Sequence, residues 1–204
     1  MKNSAKIGIV VLAAGASRRL GEPKQSLRFR GETLLRRAAK AALDAEVSSA
    51  VVVLGAGAEI FKDDLLDLAV EIVENKDWKT GMSGSIKIGL SRLLEIEKRT
   101  RAVLLTVCDQ PFADAELFNK LIGKYEETGA PIVACEYAET RGVPAIFDKS
   151  LFPQLRSLDA KGGAKKIIGQ FYSEIVSIPF RAGAFDIDTP ADFLKLQTFA
   201  RRKN

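Results

Sequence analysis

Histidine is absent from the 204 residues. That absence removes Ser-His-Asp triads, Cys-His dyads and histidine phosphocarriers from consideration. The two cysteines, Cys108 and Cys135, have no histidine to complete an ordinary zinc site. Both fall inside apolar stretches and are expected to be buried, reduced thiols. No apolar run reaches the roughly 20 residues of a membrane span. The longest near the start, Ile7 to Ala16, is interrupted by Gly8 and Gly15. It also lacks the layout of a secretory signal, since only Lys2 and Lys6 precede it and arginines follow it. The expectation is a cytoplasmic protein with no membrane partner. Internal repeats, low-complexity tracts and a Pro/Gly/Ser-rich linker are missing too, so one domain over residues 1–204 is expected. Lysine and arginine total 31 against 26 acidic residues, a net charge of +5. The basic residues are spread along the chain apart from Arg18-Arg19 and Arg201-Arg202-Lys203, with no aromatic-interleaved basic patch, so no nucleic-acid partner is expected. The chemistry left to such a chain runs on carboxylates, lysines, arginines, backbone amides and a metal held by oxygen.

Short apolar runs alternate with amphipathic stretches. Strands are predicted at Ile7–Ala13, Ala50–Leu54, Val70–Val73, Arg101–Val107, Pro131–Glu136, Val143–Phe147 and Ile175–Pro179. Helices are predicted at Glu32–Ala45, Glu59–Leu68, Ser83–Arg99, Asp114–Glu127 and Gly162–Gly169, with a last one opening at Thr189-Pro190-Ala191-Asp192. Ser83 or Ser85 is expected to cap the third, Asp114 the fourth, and Thr189 with Asp192 the last. Strands alternating with helices imply a mostly parallel sheet covered on both faces. Ligands in such folds bind beyond the carboxyl ends of the strands.

Four segments occupy such positions. Leu12 to Lys24 directly follows the first strand. Small residues and Gly15 let the backbone approach a ligand, its N–H groups can cradle an anion, and Arg19 and Lys24 add positive charge. It matches neither the P-loop nor the dinucleotide fingerprint. On the residues alone it is equally a glycine-bearing strand–helix turn with solvated arginines. Gly81-Met82-Ser83-Gly84-Ser85-Ile86 opens a helix, where amides and dipole attract anions, or where a serine simply caps. Asp109 ends an apolar strand in Cys108-Asp109-Gln110-Pro111. A carboxylate there either caps a turn or holds Mg2+ together with substrate phosphates. Asp186 and Asp188 alternate along a strand end and share a face.

The first segment resembles the signature Leu-Ala-Ala-Gly-x-Ser-x-Arg-x-Gly-x-x-Lys of the MobA-like nucleotidyltransferases, at Leu12, Ala13, Ala14, Gly15, Ser17, Arg19, Gly21 and Lys24. Gly81–Gly89, Asp109-Gln110-Pro111 and Asp186-Ile187-Asp188-Thr189-Pro190 are similar to further segments of that family, as are Arg141–Phe147 and, with an altered spacing, Asp159–Ala164. Gly55-Ala56-Gly57 only resembles a fragment of a dinucleotide loop and reads as a strand-end turn, since Ile60 stands where a third glycine belongs.

The resemblance covers about residues 7 to 195 and implies a three-layer α/β/α Rossmann-like fold with a mostly parallel mixed sheet. It implies a nucleotide held by Leu12, Ala13, Ala14, Gly15, Ser17, Arg19, Lys24, Ser83, Ser85 and Asp109. Arg19, Lys24 and Asp109 would be the catalytic groups, with Mg2+ on Asp109 and Asp188. The Ala-Ala-Gly form resembles the cytidylyl branch, implying CTP, the molybdenum cofactor as phosphate-bearing acceptor, and a molybdoenzyme or its insertion chaperone as protein partner. A sugar- or polyol-phosphate acceptor, GTP in place of CTP, and a non-catalytic binding module remain open alternatives.

Overall fold

The computed structural model describes residues 6–17, 20–160, 162–185, 187 and 189–201, the last three by backbone alone. Strand β1 (Lys6–Ala13) is followed by a two-residue hairpin, β2 (Arg28–Phe29) and β3 (Glu32–Thr33), then helix α1 (Leu34–Leu43) and strand β4 (Ser49–Leu54). Helix α2 (Ala58–Lys62), strand β5 (Glu71–Glu74), helix α3 (Met82–Ile96) and strand β6 (Thr100–Val107) come next. Then follow α4 (Ala115–Thr128), β7 (Ile132–Tyr137), β8 (Thr140–Asp148), α5 (Phe152–Arg156), α6 (Ala164–Gln170), β9 (Ile175–Pro179) and α7 (Pro190–Arg201).

One seven-stranded sheet runs β5-β4-β1-β6-β8-β7-β9. Every pairing is parallel except the two made by β8, which is antiparallel to both β6 and β7. Along β1 the pleat splits the side chains cleanly. Ile7, Ile9, Val11 and Ala13 join a core under α1, α2 and α4, while Val10 and Leu12 join a second core under α3, α5 and α6. These are the layers of a Rossmann-like α/β/α fold.

Helix α3 lies unusually close to the sheet because two glycines permit it. A Cβ on Gly89 would stand 2.5 Å from Val10 and one on Gly8 would stand 2.4 Å from Leu93. A third, smaller cluster of Leu20, Leu27, Phe29, Leu34, Ile187 and Leu196 anchors the loop after β1, the β2–β3 hairpin and α7 to one another.

Several boundaries depart from the sequence reading for physical reasons. Glu32 and Thr33 pair with Phe29 and Arg28 rather than opening α1, and Thr33 becomes its N-cap, accepting from the Arg36 N–H at 3.0 Å. The stretch Glu59–Leu68 forms only one short helix, α2, before a turn of 3-10 helix at Asp63–Leu65. Neither Ser83 nor Ser85 caps α3. Gly81 holds that position with no side-chain cap, and both serines are buried within the helix. Asp114 caps α4 through the Leu117 N–H, and Thr189 and Asp192 form the reciprocal box at the start of α7.

Candidate functional site

From β1 the chain crosses to β4 and β5 on one side, then returns through α3 to β6 on the other. The order reverses between β1 and β6, which is where open α/β sheets place a ligand crevice. The register brings the strand ends level, with Leu12 opposite Val53 on β4 and Val107 on β6. A cavity of about 430 Å³ opens at this point, a size suited to a small-molecule ligand.

Its floor is the Ala14–Ser17 loop. Ser17 sits in the left-handed region at φ 50°, and its hydroxyl accepts from the Lys24 N–H at 2.9 Å, closing the loop back on itself. Gln25 pins the same loop from beneath. Its Nε2 donates to the Ala13 carbonyl at 2.7 Å and the Gly15 carbonyl at 2.8 Å. Gly55, at the end of β4, has room for no side chain: a Cβ would meet Ala14 and Trp78 at 2.7 to 2.8 Å. The Gly55–Gly57 segment is accordingly a strand-end turn, with Gly57 at φ 74° leading into α2.

The opposite wall is the start of α3. Gly81 has φ 115° and ψ −178°, backbone that is essentially restricted to glycine. A Cβ there would also lie 2.5 Å from the Ala160 carbonyl oxygen. Among the described residues no side chain caps the first N–H groups of the helix, and a helix start in that condition attracts anions. Asn75, buried, ties this wall together: its Nδ2 donates to Ser85 Oγ at 3.0 Å and its Oδ1 accepts from the Asp77 N–H at 3.1 Å. Trp78 and Lys79 complete the wall, the ammonium 5.6 Å from the indole centroid.

At the foot of the cavity Lys24 Nζ donates to Asp109 Oδ2 at 2.8 Å, with side chains only 15% and 25% exposed. Asp109 is the one acidic residue among the described lining residues. Cys108 beside it is inert as a nucleophile, because burial and then the neighbouring Asp109 carboxylate push its thiol up to about 12. Cys135 is likewise buried and pushed up to about 12.

Of the residues singled out in the sequence, Leu12, Ala13, Ala14, Gly15, Ser17, Lys24, Ser85 and Asp109 line this one cavity. Ser83, next to Met82 in the same first turn of α3, is buried and does not line it. Arg19 and Asp188, with Arg18, Lys161 and Asp186, lie outside the described residues. Among the described residues no three carboxylate or thiol side chains gather into a metal-binding group. Asp109 nevertheless offers hard carboxylate oxygens, and Mg2+ needs only one or two such ligands when substrate phosphates supply the rest. Gln25, Asn75, Trp78 and Lys79 were not found from sequence. The amides carry no periodic or motif signal, and the other two fall in a stretch without one.

The arrangement suits a polyanion: bare amides on two walls, two lysines, and a carboxylate able to hold a divalent cation. The MobA-like NTP transferase domain matches residues 9–175 of the chain. Nicotine blue oxidoreductase of Paenarthrobacter nicotinovorans is 28% identical over 197 residues, covering 92% of this chain and 94% of that protein. 2-C-methyl-D-erythritol 4-phosphate cytidylyltransferase of Thermotoga neapolitana is 31% identical over 139 residues, 64% of this chain and 59% of that one. Among solved structures, Rv0371c of Mycobacterium tuberculosis H37Rv superposes with a TM-score of 0.80 at 26% identity, covering 96% of this chain and all of its own. The same mycobacterial protein has also been solved in complex with manganese.

Proposed function

The chain belongs to the MobA-like NTP transferase family, and on that premise we propose that it moves a CMP unit from CTP onto the phosphate of a small acceptor, the molybdenum cofactor, releasing pyrophosphate. The observation that carries this reading is the Lys24–Asp109 pair, 2.8 Å apart at the foot of a cavity walled by the uncapped start of α3. An acceptor phosphate oxygen attacks the α-phosphorus in line, and the bond from that phosphorus to the bridging oxygen breaks. A phosphate nucleophile is already ionised at neutral pH, so a chain without histidine needs no general base. Lys24, joined by Arg19, neutralises the β- and γ-phosphates and the leaving pyrophosphate. The Ala14–Ser17 amides and the start of α3 orient the nucleotide, with Ser85 held in place by Asn75. Mg2+, with Asp109 and Asp188 as its ligands, supplies charge neutralisation between the phosphates when bound.

The names of three relatives bear on the finer points. The Thermotoga relative is a cytidylyltransferase, which supports CTP, and its polyol phosphate substrate favours a second reading in which the acceptor is such a compound. The manganese complex of Rv0371c supports a divalent cation. The name of the Paenarthrobacter relative belongs to a different reaction class, so turnover has to be read directly.

The deciding experiment measures pyrophosphate release with Mg2+ and each of the four NTPs, with no acceptor, with molybdenum cofactor or with a polyol phosphate. Release confined to CTP plus cofactor is the expected result. Release with CTP and a polyol phosphate alone moves the conclusion to the second reading. Binding of NTPs without release under any pairing removes the enzymatic reading and leaves a nucleotide-binding module.

A further inference from the structure

The segment that carries Asp109 has a second face. Beyond Pro111 and Phe112 lies another cavity, of about 540 Å³, walled by the β2–β3 hairpin, α1 and the 3-10 turn at Arg181–Ala184. Its construction differs from that of the first. Three aromatic rings form a continuous edge-to-face row, Phe29 to Phe112 at 5.8 Å and 78°, and Phe112 to Phe185 at 5.8 Å and 81°. The guanidinium carbons of Arg30 and Arg37 stand 5.2 and 5.0 Å from the Phe29 centroid, and Arg181 enters from the far wall.

The charge in this cavity is unbalanced. Among its described lining residues three arginines face one acid, Asp114, whose carboxylate already accepts from the Leu117 N–H as the cap of α4. Among the described residues none of the three arginines has a carboxylate at ion-pair distance. Arg37 is the sharpest case. Among the described residues its Nε is buried with no acceptor, and its Nη2 reaches the Pro111 carbonyl at 3.4 Å. Burial lowers its hold on its proton, opposed by the nearby Glu32 and Asp114 carboxylates and reinforced by Arg30. A half-buried guanidinium with no carboxylate at ion-pair distance among the described residues is incompletely compensated, and an incoming anion adds charge-assisted, bidentate hydrogen bonds. Aromatic edges beside it provide the matching surface for a flat ring.

We propose that this cavity is a second ligand site, which takes a flat aromatic ring carrying a phosphate or carboxylate. The ring lies along Phe112 and Phe185, and the anion sits among Arg30, Arg37 and Arg181. Asp109 precedes Pro111 by two residues, so the bound ligand lies on the opposite side of the Asp109 segment from α3. In the transfer reaction it would be the acceptor, a role that rests on the function proposed above; the binding does not.

The test reads binding alone, on the full chain. The probes are 1-naphthyl phosphate and 1-naphthoate, followed by their fluorescence. 1-Naphthalenemethanol serves as the ring without the anion and inorganic phosphate as the anion without the ring. At least one anionic probe should bind one to one, about tenfold or more tighter than either half-probe, and which of the two prefers the site tells phosphate from carboxylate. Arg37→Gln and Arg181→Gln should each weaken it by about tenfold. Arg30→Asn provides a variant whose fold is not at risk, because Arg30 occupies φ 52°, a conformation asparagine accepts. It should weaken the probe by severalfold without shifting the melting temperature. A saturating amount of CTP should leave the probe in place. Displacement of the probe by CTP, equal affinity for 1-naphthalenemethanol, or unchanged affinity in the Arg30/Arg181 double variant would each overturn the proposal. None of these outcomes depends on pyrophosphate release, so the site and the transfer reaction stand or fall separately.

Discussion

The two edges of the seven-stranded sheet are finished in opposite ways. At the amino edge, polar groups are paired. The Ser48 N–H and hydroxyl both donate to the Ile7 carbonyl, Thr100 donates to the Glu97 carbonyl, and Tyr125 donates to Asp148 at 2.6 Å while Ser150 donates to the same carboxylate. At the carboxyl edge they are left open. Of the five side-chain atoms buried without partners among the described residues, Gln154 Oε1 lies elsewhere, on α5, while Gln25 Oε1, Thr106 Oγ1, Gln110 Oε1 and Arg37 Nε lie at this edge. There too Ser17 is held in the left-handed region and α3 begins uncapped. Native structures leave few buried polar atoms unpaired. Four of the five such atoms lie at one edge, which fits bonding capacity held there for ligands, while the other edge supplies stability.

That contrast can be broken by substitutions at each edge. Asp109→Ala, at the carboxyl edge, should lower turnover on the order of a thousandfold while the thermal transition stays near that of the parent. Near-parent activity in a pyrophosphate assay would detach Asp109 from the chemistry. Gly81→Ala places a Cβ 2.5 Å from the Ala160 carbonyl and forces a glycine-only conformation, at about 1–3 kcal/mol for the backbone alone. Calorimetry should register the loss of stability, and nucleotide titration a weaker affinity as the Ala160 turn is pushed from α3. An unchanged Kd would separate that turn from the nucleotide site.

At the amino edge the effects should fall on stability and spare activity. Burial raises the Asp148 carboxyl, but hydrogen bonds from Tyr125 and Ser150 outweigh it and leave the group below its ordinary value of 3.8. A carboxylate held low in the folded state stabilises fully above its unfolded value and loses that contribution as pH falls through the folded one. Asp148→Asn should therefore cost about 1 kcal/mol at pH 7, the difference closing below about pH 4. Denaturant midpoints at the two pH values test this, with turnover unaltered. The smallest effect is a gain. Ala138 and Glu139 turn β7 into β8 at φ 46° and 58°, an arrangement costly for side-chain-bearing residues. Glu139→Gly should raise stability by about 0.5–1 kcal/mol, visible as a higher melting temperature.

The alternation of apolar runs and amphipathic stretches made most of the sheet readable, because strands buried on both faces leave little ambiguity. The direction of β8 was not readable. Its turn contains neither asparagine nor glycine, so the tight reversal between Tyr137 and Thr140 carries none of the usual signal. Helix α5 escaped notice because five residues are too few for a periodic pattern. At the site, the loop after β1 and Asp109 were legible from their place at strand ends. Gln25 and Asn75 were not, since a buried amide earns its role from carbonyls and hydroxyls that only the fold brings near. The Arg30–Arg37–Arg181 group joins a hairpin, a helix and a turn far apart along the chain, and no spacing rule reaches that distance.

The antiparallel insertion of β8 also bears on synthesis. When β7 has been made, it lies one strand's width from β6, and only the next eleven residues, to Asp148, fill that gap. Until they emerge from the ribosome, β6, five of whose eight residues are apolar, presents an unpaired edge, a template for pairing with another nascent chain. Premature termination within this short stretch therefore yields aggregation-prone fragments, whereas release just beyond it leaves β6 covered.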